Sequence, residues 1–309
     1  MEQHRSFAAP PHPTARILTW NVERKDPSSA KGRELGARIL AQAADLVCLT
    51  EAHQGSAAAL GYEEISAEGV HWSPQKPSER KVVLGAKSPW TDINEYGNEG
   101  LQSGAFVAGT TELPLGVVRV IGVCIPYHAA SPFGQRPKAR QWSEHLRFLD
   151  ALHAYLAARE HRLPLVVIGD YNQFLPRIWG SKAAHEKLLE ALGAARIVTG
   201  GRLAIVERPS VDHIAISGEL SARAVWGIDE HDAGGKPLSD HFGVCADIAV
   251  ELGAASAGGT RPRMQGPSPP TRSPPRSPGF PNREARTAMA FRNTPRLEAE
   301  AASREMAVM

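Results

Sequence analysis

Between Arg16 and Glu251 short apolar runs alternate with turn-forming residues. Eight runs have the length and β-branched content of strands: 17–22 (ILTWNV), 44–51 (ADLVCLTE), 81–87 (KVVLGAK), 104–110 (GAFVAGT), 117–125 (VVRVIGVCI), 164–171 (PLVVIGDY), 212–217 (DHIAIS) and 242–250 (FGVCADIAV). Several are apolar at consecutive positions, the pattern of strands covered on both faces. Helical spacing appears between them. Residues 31–43 place Leu35, Ile39 and Leu40 on one face, residues 138–158 place Trp142, Leu146, Leu149 and Leu152 likewise, and 182–193 form a third candidate. This mixture predicts an α/β layered domain. No Gly-x-Gly-x-x-Gly follows the first strand, which argues against a dinucleotide-binding fold.

Composition divides the chain in three. Residues 1–14 read as a flexible lead-in, 15–251 as the folded domain, and 252–309 as a mostly disordered tail. The tail's segment 261–281 is rich in Pro, Ser and Arg and has too little apolar surface to offset its ordering entropy. The tail holds nine Arg and four Glu, a net +5 against +2 for the whole chain, so residues 1–251 carry −3. A main domain with this balance lacks the broad positive field of a protein that grips long duplex nucleic acid. No apolar run reaches the roughly 18–20 residues of a membrane-spanning helix, and Met1 to Thr14 do not read as a secretory signal. Cys48, Cys124 and Cys245 lie far apart in apolar runs, which predicts buried free thiols in a cytoplasmic protein rather than disulfides or a zinc site.

Polar residues recur at the ends of the apolar runs. Asn21 and Glu23 follow the first, Glu51 closes the second, Asp170 and Asn172 close PLVVIG, Asp212 and His213 open HIAIS, and Asp240 and His241 precede FGVCADI. Singly, each suits a turn or a helix cap. Together they suggest chemistry, because strand ends hold side chains rigidly. Carboxylates with an Asn amide suit hard, oxygen-liganded cations such as magnesium, and a His beside a carboxylate suits proton transfer or stabilisation of transition-state charge. Metal, oriented water, amide donor and imidazole form a set for phosphoester hydrolysis.

The ordered set TWNVE, LTE, GDYNQ, DHIAIS and SDHFGV resembles the endonuclease/exonuclease/phosphatase superfamily over roughly residues 15–250. That superfamily includes pancreatic deoxyribonuclease, exonuclease III-type repair nucleases, neutral sphingomyelinases and inositol-polyphosphate 5-phosphatases. The resemblance implies a four-layer α/β sandwich, two mixed β-sheets face to face with helices outside. It implies Glu51 as the main Mg2+ ligand (Mn2+ as a substitute), with Asn21 and Glu23 beside it as metal or phosphate ligands and Asp240 supporting the metal. Asp170 would orient or deprotonate the attacking water, and Asn172 would donate to phosphate oxygen or to the nucleophile. His241 would stabilise the transition state, with Asp212 fixing its tautomer. One strand departs from the pattern. In CIPYHAA, alignment on Pro126 puts Cys124 where the family carries a catalytic Tyr or His. Tyr127 and His128 are the alternative substrate contacts, or an ordinary loop.

The resemblance implies a phosphate-ester substrate, with nucleic acid among the candidates. Basic residues gather in two loops, Arg136, Lys138 and Arg140 in one and Arg177 and Lys182 in the other, where Trp179 also lies. Such a group suits binding of one or two phosphates, or stacking on a base; solvated charges at helix starts are the plainer account. A catalytically silent binding domain of the same fold is the competing class. Its weakness is that such a domain has no chemical need to keep Glu51, Asp170, Asn172 and His241 together.

Overall fold

The structure, a computed structural model, describes residues 13–68, 76–101, 104–130, 141–158 and 163–251. The expected tail and most of the expected lead-in lie outside these residues. The described strands are β1 (Thr14–Asn21), β2 (Leu46–His53), β3 (Glu63–Ser66), β4 (Glu79–Ala86), β5 (Thr91–Asn94), β6 (Phe106–Leu113), β7 (Gly116–Cys124), β8 (Leu165–Asp170), β9 (Arg196–Ile197), β10 (Arg202–Leu203), β11 (Arg208–Pro209), β12 (Asp212–Ile216), β13 (Leu220–Ile228) and β14 (Gly243–Val250). The helices are α1 (Ala30–Ala41), α2 (Ser143–Ala157) and α3 (Lys182–Leu192). One sheet runs β13-β14-β1-β2-β4-β3 and the other β5-β6-β7-β8-β12-β9, while β10 and β11 form a small ribbon.

Consecutive strand residues point to opposite faces, so each central strand serves two cores. In β1, Ile17 enters the core between the sheets with Cys48, Val82, Val120, Ile168 and Ile214, whereas Leu18 and Trp20 pack outward with Leu35 and Ile39 of α1. The outer face of the second sheet is covered by Phe148, Leu149 and Leu152 of α2 and Leu188 of α3. The result is the four-layer α/β sandwich, with both sheets mixed: β1–β2 and β7–β8 are parallel and their other neighbours antiparallel.

Each of the eight expected strands is present. Edge strands β3, β5 and β13 had no apolar run to reveal them, because half their side chains face solvent. Two helix faces differ from expectation. Leu40 is half exposed, so α1 packs through Leu35 and Ile39 alone. Helix α2 starts at Ser143, not near 138, with Trp142 as its N-cap at φ 72°. Neither Trp142 nor Leu146 joins the core; Phe148, Leu149, Leu152 and Tyr155 form its packed face. Leu149 and Leu152 keep their expected place, and the departure is confined to Trp142 and Leu146.

Gly169 has φ 141°, and a Cβ there would run into the carbonyl oxygen of Val123 on the neighbouring strand. Only glycine admits that approach of β8 to β7 immediately before Asp170. Gly169→Ala should therefore cost on the order of 3 kcal/mol or more. Urea unfolding measures it, and an unchanged midpoint would refute the steric argument.

Candidate active site

The sheet topology brings the polar strand ends together. β1 and β2 are parallel, so Asn21 and Glu51 arrive at one end of the first sheet. β14 is antiparallel to β1 and starts at that end, immediately after His241. In the second sheet Asp170 ends β8 and lies directly opposite Asp212, the first residue of antiparallel β12. Two side-chain contacts then cross between the sheets. Asn21 Nδ2 donates to Asp170 Oδ2 at 3.1 Å, and His241 Nδ1 lies 2.6 Å from Asp212 Oδ2.

These contacts set the electrostatics. Burial, then the facing Asp212 charge, pushes the Asp170 carboxyl well above its usual range; His241, the Asn172 backbone N–H (2.8 Å) and the Asn21 amide oppose the rise. Burial alone would lower His241, but the charge and hydrogen bond of Asp212 outweigh it and raise the ring to about 10. The imidazole is thus an imidazolium at neutral pH. It donates from Nδ1 to Asp212, and Nε2 remains for a substrate. The other Asp212 oxygen, Oδ1, is buried without a hydrogen-bond partner.

Glu51 has φ 47° and lies between the in-register pairs Thr50–Val82 and Ala52–Arg80, which sets it opposite Lys81 of β4. A non-glycine residue at positive φ persists only where its surroundings hold it. Burial would raise the Glu51 carboxyl, but Lys81 and then Arg24, with a further contribution from His241, bring it below its usual value. Glu23 is partly exposed, 3.0 Å from Lys25, and accepts from the Asp240 backbone N–H at 3.1 Å; Asp240 itself is exposed. Asn172, at φ 52°, donates its side-chain amide to the Ile125 carbonyl at 2.9 Å.

The donor set fits a hard divalent cation. Lys81 and Arg24 hold the Glu51 carboxyl below its usual range, Asp212 Oδ1 is buried without a hydrogen-bond partner, and burial pushes the Cys124 thiol up, so the groups offer oxygen rather than thiolate ligands. Asp170, Asp212 and His241 have ligand atoms within 4.8 Å of one another. The His241–Asp212 hydrogen bond, however, makes the trio a proton network rather than a cage. Asp229, Glu230 and His231 also cluster, but Glu230 is paired with Arg208 and Asp229 is hydrogen-bonded to the His231 ring.

Cys124 pairs with Asp170 across β7–β8 and is buried in the core between the sheets. Tyr127 and His128 lie farther out and belong to a ring cluster. His128 contacts Tyr127 (5.8 Å between centroids), Trp142 (5.8 Å) and Trp179 (5.0 Å), and Trp142 contacts Trp179 (5.9 Å). Tyr127 and Trp179 are both more than half exposed. Arg177 donates to the Gly180 carbonyl. Arg140, with Arg136 and Lys138, lies outside the described residues.

A second network, not anticipated, fixes the Asn172 loop. His145 Nδ1 donates to the Pro126 carbonyl at 2.7 Å, and its Nε2 accepts from the Gln173 amide at 2.6 Å. His213 Nε2 donates to the Gln173 carbonyl at 2.9 Å, while Thr199 Oγ1 donates to Nδ1. His213 therefore turns away from the site that Asp212 enters. Gln173 was readable only as the last letter of GDYNQ.

The model of the endonuclease/exonuclease/phosphatase family matches residues 18–241. The chain belongs to that family. No curated protein matches it in sequence. An AP endonuclease from Archaeoglobus fulgidus is similar in structure, at 16% identity and TM-score 0.58, over 77% of this chain and all of that one. So is the 3′ phosphatase NExo from Neisseria bound to a product DNA hairpin, at 19% identity and TM-score 0.55, over 77% and 100%. D. rerio TDP2 complexed with a single-strand DNA product gives 13% identity and TM-score 0.54, over 77% and 99%. At these identities the likeness establishes the sandwich. Family members are hydrolases, nucleases and phosphatases that depend on divalent metal.

Burial lowers both His145 and His213 to about 4. Their folded values lie below the unfolded value, so the stability held by their neutral forms is present above pH 6.5 and is lost as pH falls toward 4. The stability gap between the protein and a His145→Gln variant should shrink over that window, by up to roughly 3 kcal/mol. Urea titrations at pH 7, 5.5 and 4 measure it; a gap constant with pH would mean that His145 is not buried neutral.

Proposed function

We propose that the chain is a magnesium-dependent phosphoesterase, with manganese a working substitute, that hydrolyses a phosphodiester or phosphomonoester by in-line attack of water. One observation carries the reading: the 2.6 Å His241–Asp212 contact, formed between two sheets and within 4.8 Å of the Asp170 carboxylate. A fold without chemistry has no need of two buried carboxylates facing one imidazolium, since burial of charge is costly. This weighs against a silent binding domain.

The residues take distinct roles. Asp170, its affinity for protons raised by burial, accepts the proton of the attacking water as the oxygen–phosphorus bond forms. The phosphorus–oxygen bond to the leaving group breaks on the opposite side. His241 donates from Nε2 to the charge that develops, and Asp212 fixes its orientation. Asn172 and Asn21 hold Asp170 and the nucleophile in place. Glu51 is the principal metal ligand, with Asn21, Glu23 and Asp240 beside it. When bound, the ion polarises the phosphoryl oxygen as a Lewis acid.

Within this class a nuclease is favoured by the ring cluster of Tyr127, His128, Trp142 and Trp179. Exposed aromatic faces near a phosphate site suit an unstacked base. Arg177, two residues before Trp179, is a candidate phosphate contact, as is Arg140, which lies outside the described residues. A panel of single-stranded DNA, duplex DNA, RNA, inositol phosphates and sphingomyelin, each with magnesium and with EDTA, discriminates the substrates. Among the described residues no helix is long and apolar enough to cross a membrane. The buried free thiols of Cys48, Cys124 and Cys245 suit a reducing, cytoplasmic setting. Residues 252–309 we place outside the catalytic unit; their removal should leave the thermal midpoint and the hydrolysis of a small phosphodiester unchanged, and a drop in either would show that they pack on the domain.

His241→Ala should lower turnover by on the order of 10²-fold or more, through loss of the oriented donor. Asp212→Asn should act on the same step less severely. The double variant should lose less than the product of the two, because both act through one imidazole. Turnover and thermal midpoint on the four proteins decide the matter. Multiplicative losses, or losses that track melting, would break the dyad.

A further inference from the structure

β4 opens with three charged residues, Glu79, Arg80 and Lys81, before its apolar run. Lys81 lies directly across from Glu51, between the Thr50–Val82 and Ala52–Arg80 pairs. Its side chain is one-fifth exposed and its Nζ lies 2.9 Å from Glu51 Oε1. Arg24 Nη2 reaches the same oxygen at 3.1 Å from a turn, with twice the side-chain exposure. No ion pair or hydrogen bond among the described residues reaches Glu51 Oε2. The carboxylate is thus asymmetric, one oxygen held by fixed cations and the other open.

A buried ammonium next to a metal-binding carboxylate has two opposed effects. It fixes the carboxylate's orientation, which favours a defined ligand geometry. It also repels a divalent ion across a few ångströms of low-dielectric surroundings. Lysine suits the task as a compact point charge on a strand, whereas the planar Arg24 fork approaches from a more exposed loop.

We infer that Lys81 is a positioning residue of the metal site: it anchors Oε1 of Glu51, leaves Oε2 as a single-oxygen donor, and keeps the divalent ion weakly held and exchangeable. The inference rests on the proposed role of Glu51 as metal ligand. It predicts two changes of opposite sign when the ammonium is removed. The ion binds more tightly, because a competing charge is gone, while turnover falls, because Glu51 is no longer oriented.

The experiment is a Mn2+ titration of the full chain without substrate, by calorimetry and by the electron paramagnetic resonance of free Mn2+. Turnover of bis-p-nitrophenyl phosphate is measured alongside. Lys81→Met should bind Mn2+ on the order of tenfold more tightly than the unmodified protein and turn over on the order of tenfold more slowly. Lys81→Arg should return Mn2+ affinity to within about twofold. Lys81→Gln carries the same expectation as Met and serves if the Met variant does not fold. Mn2+ affinity that is unchanged or weaker in both neutral variants overturns the inference, as does a fall in thermal midpoint with affinity unmoved. Glu51→Gln separates the two levels. If it weakens Mn2+ binding while the Lys81 variants do not tighten it, only the role of Lys81 fails. If it leaves Mn2+ binding untouched, the assignment of Glu51 fails and the inference with it.

Discussion

The contact on which the site depends is the bond between His241, at the end of one sheet, and Asp212, at the end of the other. Both sit at the mouth of an apolar sandwich, where an isolated carboxylate would be expensive to ionise. Asp212 is nearly inaccessible, and Asp170 faces it across a strand pair. The imidazolium relieves this repulsion, and the Asn21 amide relieves more from the same sheet as His241. The groups that serve chemistry thus also tie the two sheets together at one end. The remainder of the sheet interface is mainly aliphatic, with the Cys48 thiol donating to the Ile168 carbonyl at 3.5 Å.

Conformational strain concentrates around the same end. Glu23, Arg24, Glu51 and Asn172 all adopt positive φ without being glycine. Each such residue is held by its neighbours. The Arg24 N–H donates to the Glu51 carbonyl, and the Asn172 N–H to the Asp170 carboxylate. The Gln173 chain of neutral imidazoles locks the loop beyond. A backbone this far from its preferred wells persists only where surrounding structure over-determines it.

Much of this was readable from residue order. Apolar runs announced the central strands because those strands are buried on both faces, and their polar termini marked residues that the topology gathers at one end. What escaped has a physical reason in each case. Edge strand β13, half solvated, has no apolar signature. Trp142 matched a helical period but caps the helix, since its ring is drawn to His128 and Trp179 from distant segments. Lys81 escaped because a cation at a strand start looks like any solvated charge until the strand register sets Glu51 opposite it. His213 and Gln173 stood next to residues singled out for chemistry, yet strand alternation sends His213 to the opposite face.

The order of strands along the chain has a bearing on biosynthesis. β1, made first, pairs with β14, made last, and His241 directly precedes β14. A nascent polypeptide synthesised through β12 already carries Asn21, Glu51, Asp170, Asn172 and Asp212, but not the imidazole that neutralises the facing carboxylates. Until that final segment docks against the first, the two aspartates repel, and the sheets lack the tie at their functional end. The full set of candidate site residues therefore comes together only once β14 has been made and has docked against β1, and a chain that stops short of His241 lacks it.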